Sequence, residues 1–163
     1  MRIIHSDKIR DAIKEMCIEA NLVLSKDVEK RILAAEKEES SELGGKILSQ
    51  LKENMEIAKA ERIPICQDTG MAIIFLEIGQ EVHIEGEYLE DAVNEGVRRG
   101  YEEGYLRKSV VGDPLLRVNT KDNTPAVIHT SIVPGEQVKI TVAPKGFGSE
   151  NMSRVCMLKP ADG

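Results

Sequence analysis

The sequence predicts an α+β domain, with N-terminal helices followed by a mixed region that contains antiparallel strands. Three observations predict it. Residues 1–60 carry apolar side chains at helical spacing, the texture changes at Pro64, and strand-like runs follow without regular alternation with helices. At 163 residues, 41% hydrophobic and 31% charged, the chain reads as one domain, 1–163, helical over 1–60 and mixed over 61–163.

Each element has its own signal. Ser6 is placed as an N-cap before Ile9, Ile13, Met16, Cys17 and Ala20, and Ser25 before Val28, Ile32 and Ala35. A third helix follows Ser40-Ser41 through Leu43, Ile47, Leu48, Leu51, Met55 and Ala58; Gly44-Gly45 blurs its start, because glycine costs about 1 kcal/mol against alanine in a helix. Beyond Pro64 the turn formers Asp68, Thr69 and Gly70 precede an almost unbroken apolar run, 71–78, which reads as a buried strand. Val82 and Ile84 alternate with His83 and suggest another. Residues 88–104 return to helical spacing through Leu89, Ala92, Val93, Val97 and Tyr101. Residues 109–124 read as loop, with Gly112-Asp113-Pro114 and Asp122-Asn123-Thr124-Pro125 as turn signals. Residues 126–133 form a strand, and Val138, Ile140 and Val142 alternate along the next. Pro134-Gly135 between them predicts a hairpin.

Composition excludes several function classes. The formal net charge of −6 disfavours phosphate backbones, and two Phe, three Tyr and no Trp provide no stacking platform for bases, so nucleic acid is not expected as a partner. No apolar run reaches the roughly eighteen residues of a transmembrane helix, and the start lacks a signal-peptide pattern, so a cytoplasmic protein away from membranes is expected. The three cysteines, Cys17, Cys66 and Cys156, are odd in number and widely spaced, a poor fit to a disulfide framework. Cys17 lies on a helical apolar face and reads as a small core residue.

Two segments carry chemistry. In Ile65-Cys66-Gln67-Asp68-Thr69-Gly70, a thiol, an amide and a carboxylate sit side by side in a turn between apolar segments. Such a turn suits a metal next to a polar substrate; the plainer reading is a buried structural cysteine. In Pro144-Lys145-Gly146-Phe147-Gly148-Ser149-Glu150-Asn151, two glycines permit a compact loop whose N–H groups converge on an anion; the plainer reading is a turn. The loop matches neither a P-loop nor the Rossmann glycine spacing.

Together these segments resemble the class I, iron–sulfur, fumarate hydratase family, which includes the tartrate dehydratase α subunits. The resemblance extends to Leu106-Arg107, Asp113-Pro114-Leu115, Asn123-Thr124-Pro125-Ala126 and the run 128–163, which closes with Met157-Leu158-Lys159-Pro160-Ala161-Asp162-Gly163. It implies that the chain is the N-terminal part of a hydro-lyase α subunit interconverting malate and fumarate. It also implies a [4Fe-4S] cluster held by three cysteines, whose open iron acts as a Lewis acid on the dicarboxylate. By the same resemblance Cys66 is the first cluster ligand and the single one of three present here. Gln67 and Asp68 contact substrate, with Asp68 catalytic; Arg107 binds a substrate carboxylate, and Gly148 approaches the substrate through its backbone.

The family's further cysteine ligands are expected beyond Gly163, and its proton-abstracting residue in the β subunit. The chain alone is then inactive, depends on the remainder of the α subunit and on the β subunit, exposes an apolar surface and enters an oligomer. Phe147 stands where the family commonly has glycine, so a tighter or differently shaped loop is expected. Cys156 sits where relatives often lack cysteine, which argues against a ligand role. His129 is placed to help line the site, His83 on an exposed strand edge, and His5 before the first helix. The alternatives are an L-tartrate dehydratase α subunit forming oxaloacetate, or a truncated, non-catalytic assembly module.

Overall fold

The computed structural model describes residues 1–162; Gly163, which ends the run carrying the resemblance, lies outside the described residues. Among them, in chain order, are β1 (Arg2–His5), α1 (Ser6–Leu22), α2 (Lys26–Glu38), α3 (Glu42–Glu61), β2 (Met71–Gly79), β3 (Val82–Glu85), α4 (Leu89–Glu103), β4 (Val127–Val133) and β5 (Val138–Lys145). Two short 3-10 turns follow, Gly148–Met152 and Pro160–Asp162. The α+β class stands.

The core lies between one helical layer and one sheet. Alternation along β2 sends Ala72, Ile74, Leu76 and Ile78 to one face, where they are buried against Ile9, Ile13 and Cys17 of α1 and Val93, Val97 and Tyr101 of α4. Full burial of such side chains supplies about 1.5–3 kcal/mol each, so this interface dominates stability. Helices α1 and α4 pack closely because α4 presents Gly96 and Gly100. A Cβ there would meet the Arg10 carbonyl oxygen at 2.5 Å and the Cys17 Cβ at 2.8 Å. Cys17 is thus the core residue its helical position predicts.

The β pairing departs from the expectation at one point. Strands β4 and β5 are consecutive, but they do not form a hairpin with each other. The sheet order is β4-β2-β5, with β2 parallel to β4 (Ile74 opposite Ile128) and antiparallel to β5 (Ile74 opposite Val142). The Pro134-Gly135 connection crosses the end of β2, where Gly79 N–H donates to the Gln137 carbonyl at 2.7 Å and Gln80 N–H to that of Val133 at 2.8 Å. The most apolar strand takes the central, doubly paired position, which buries more surface than a peripheral hairpin would.

A second difference is β1, which pairs in parallel with β3 (Arg2 opposite Val82). The cap of α1 accordingly falls on His5, whose side chain accepts the Asp7 N–H at 3.4 Å. Ser6 is instead buried in the first turn and its Oγ accepts the Glu87 N–H at 2.9 Å. The remaining boundaries follow the periodicity: Ser41 caps α3 through Gly44 N–H, Tyr88 and Gly104 flank α4, and His83 is exposed on β3. Helix α2 has no buried residue and packs on α3, leaving Leu43, Ile47 and Leu51 exposed.

Candidate functional site

The Cys66 turn begins where α3 ends. Arg62 takes the left-handed conformation (φ 53°) and stops the helix. Ile65 is then clamped from both sides. Its N–H donates to the Asn21 carbonyl at 3.0 Å, and its own carbonyl accepts from Asn54 Nδ2 at 3.0 Å. The chain is therefore anchored one residue before Cys66. Cys66 and Gln67 are exposed, so the reading of Cys66 as a buried structural thiol is overturned. The Asp68 N–H donates to Cys66 Sγ at 3.4 Å and orients the sulfur.

The far end of the turn is anchored in the core. Tyr101, itself buried, donates from its hydroxyl to the Thr69 carbonyl at 2.8 Å. Burial pushes the Tyr101 phenol above its ordinary range, so it stays a protonated donor. Gly70 has φ +61°, and a Cβ on it would sit 1.8 Å from the Lys145 carbonyl oxygen. Here glycine is demanded twice, by its dihedral angle and by the close approach of β5.

The second candidate segment meets the first. Asp68 Oδ2 accepts the N–H of Phe147 at 2.9 Å and of Gly148 at 3.2 Å. The N–H groups of the 146–148 loop do converge on an anion, and that anion is the chain's own carboxylate. Phe147 fits because its φ of −84° suits any L-residue, so a side chain replaces glycine there without left-handed backbone. Lys145 Nζ donates to the Gly146 carbonyl at 3.0 Å and lies 3.5 Å from Glu150 Oε1.

Arg107 is drawn in through its backbone. Thr69 Oγ1 donates to the Arg107 carbonyl at 3.0 Å, while the residue itself is exposed. Cys66, Gln67, Asp68, Arg107 and Gly148 are thus carried by three segments, of which the Cys66 turn is bonded directly to each of the other two. His129 sits on the open face of the sheet and stacks on Phe75, with ring centroids 5.0 Å apart and planes 17° apart. Cys156 is exposed in the stretch after the first 3-10 turn.

Sequence reading missed the residues that hold these segments together, namely Thr69, Tyr101 and Asn123. Tyr101 was legible as an apolar helix position and Asn123 as part of a turn, but a side-chain hydrogen bond across tens of residues has no local signature. The donor set for a cluster is partial. Cys66 offers one accessible thiol with a helping N–H. Among the described residues no group of three Cys, His, Asp or Glu stands ready for a metal, so a cluster needing three thiolates is not completed by them.

A sequence model of the family described as fumarate hydratase (Fumerase) matches residues 10–163. A Methanocaldococcus jannaschii protein provisionally named an L(+)-tartrate dehydratase subunit alpha is 40% identical, over 96% of this chain and 56% of its own length. The anaerobic class I fumarate hydratase of Escherichia coli is 39% identical over 69% of this chain and 21% of its own length. An L(+)-tartrate dehydratase subunit alpha of Escherichia coli is 28% identical over 84% of this chain and 46% of its own. The chain spans about half, or less, of each of these relatives. A match over nearly its whole length shows that the chain belongs to the fumarate hydratase (Fumerase) family, of the class I type.

Proposed function

We propose that this chain, folded as one domain, is part of the α subunit of an iron–sulfur hydro-lyase that reversibly dehydrates malate to fumarate. The observation that carries the reading is the Asp68 carboxylate on the 146–148 loop, which assembles Cys66, Gln67, Asp68 and Gly148 at one place. Cys66 supplies one of three cluster thiolates, and the other two come from outside the described residues. A bound [4Fe-4S] cluster supplies a Lewis acid for a substrate carboxylate and hydroxyl.

The chain's own residues do the rest of their share. Arg107 presents a planar guanidinium to a second carboxylate. Gln67 and Asp68 hold the hydroxyl end of the substrate, Asp68 taking part in the proton chemistry, and Gly148 admits the substrate because it has no side chain. The remainder of the α subunit and a β subunit complete the site in an oligomer, consistent with relatives named as α subunits. A cytoplasmic location is part of this reading; among the described residues no helix is long and apolar enough to cross a membrane. The second reading, L-tartrate dehydratase, is favoured by the name of the Methanocaldococcus jannaschii relative, which matches 96% of this chain.

The test is anaerobic reconstitution with iron and sulfide in the presence of the partner polypeptides, followed by visible absorbance. A chromophore that forms with the wild type and is lost in Cys66→Ala supports the ligand assignment. Failure to incorporate any cluster counts against it and favours a non-catalytic assembly module. The completed enzyme is then offered malate and L-tartrate, and inactivity on both sinks the hydro-lyase reading.

A further inference from the structure

Asn123 belongs to a segment of the family resemblance that none of the assigned roles uses, and it is fully buried. It adopts φ +63°, a left-handed conformation that asparagine tolerates better than most residues. That backbone turn points its amide into the space between two segments of the candidate site. Oδ1 accepts the N–H of Ser109 at 2.7 Å and of Val110 at 3.0 Å, while Nδ2 donates to the Gly70 carbonyl at 3.0 Å. One planar amide therefore joins the end of the Cys66 turn to the stretch that begins at Arg107.

The surroundings fix Asn123 itself. Asp122 Oδ1 accepts the Thr124 N–H at 3.0 Å, and Asn94 Oδ1 on α4 accepts the Ala126 N–H at 2.8 Å. The 122–126 segment is thereby pinned to the same helix whose Tyr101 holds the Thr69 carbonyl. The 108–111 stretch is paired with 119–120, through the Thr120 N–H to the Val110 carbonyl at 3.0 Å. A second bond between the same two segments, from Thr69 Oγ1 to the Arg107 carbonyl, lies at the start of that stretch.

We propose that Asn123 is a positioning residue, which sets the placement of Arg107 relative to the Cys66 turn through the two faces of its side-chain amide. This rests on the reading that both segments serve one substrate site. The amide is suited to the task because it accepts on one side and donates on the other, in one rigid plane. Buried backbone groups left without such a partner are costly, which makes the link stiff rather than incidental.

The two faces can be separated by substitution. Asn123→Asp keeps an acceptor for Ser109 and Val110 and loses the donor to Gly70; Asn123→Gly suits the left-handed backbone and loses both. Amide hydrogen exchange of the whole chain is followed over 66–70 and 107–110, with alkylation of Cys17 reporting global opening. For Asn123→Asp, exchange in 66–70 should rise about five- to tenfold, as loss of one buried hydrogen bond implies, with 107–110 unchanged. For Asn123→Gly, both windows should rise, with Cys17 still protected. Equal responses of the two windows to both variants, no response, or exposure of Cys17 in step with the windows would overturn the proposal. None of these readouts uses substrate or cluster, so an inactive enzyme leaves the outcome legible.

Discussion

Asp68 and Phe147 are 79 residues apart in the chain, yet the Asp68 carboxylate accepts the Phe147 backbone N–H at 2.9 Å. The same oxygen takes the Gly148 N–H, so one side chain locks the glycine loop onto the Cys66 turn. Asp68→Ala should release that loop without unfolding the core, because the core contacts lie elsewhere. Amide exchange at Phe147 and Gly148 should accelerate roughly tenfold, the scale of a charge-assisted hydrogen bond, while the melting temperature changes little. Unchanged exchange at both amides would refute the lock.

Gly70→Ala is predicted to be among the most damaging single changes in the mixed region. The substitution combines a left-handed φ with a Cβ placed 1.8 Å from the Lys145 carbonyl oxygen, so β5 or the turn must move. A loss of about 2 kcal/mol or more is expected in urea unfolding. Wild-type stability in this variant would contradict the close approach of the two segments.

Tyr101→Phe should keep the aromatic ring in the core and remove one buried hydrogen bond. The Thr69 carbonyl then loses its donor, at a cost of about 1 kcal/mol. The effect should show as a small shift in the urea midpoint with an unchanged slope, because the extent of surface exposed on unfolding is the same.

Stability should fall with alkaline pH, and Cys17 should set where the fall begins. Burial pushes its thiol up from 9.0 to about 12. Above pH 9 the unfolded chain gives up this proton while the folded chain keeps it. The stabilisation is therefore complete below pH 9 and is lost as pH rises towards about 12, at about 1.4 kcal/mol per pH unit. The Tyr101 phenol, also raised by burial from 10.0, adds to the loss at higher pH. Urea titrations at pH 8.5 and 10 should differ in the wild type, and the difference should shrink in Cys17→Ala to the part that Tyr101 contributes; equal pH dependence in the two proteins would rule out Cys17 as a source.

Much of the fold was legible because local rules and tertiary packing agree. The apolar spacing of α1 and α4 marked the faces that bury Ile13 and Val97, and the unbroken run of β2 marked a buried strand. The β4–β5 hairpin failed for a physical reason. Pro134-Gly135 encodes a reversal of direction, but whether the two strands touch depends on a third strand competing for the same edges. Strand β1 was missed because four residues are too few to show a period, and its partner lies about eighty residues away.

The sequence by itself determined the chemical inventory and the local conformations, including the helical stretches, the strand segments, the Cys66 turn and the glycine loop. It also determined the family, since motifs are read residue by residue. Tertiary structure alone decided that β2 lies between β4 and β5, that Cys66 is exposed, and that Asp68 closes the glycine loop. It also decided that Asn123 spans the gap from Gly70 to Val110. Backbone propensity acts over a few residues, whereas a hydrogen bond between distant segments exists only once the core has brought them within about 3 Å.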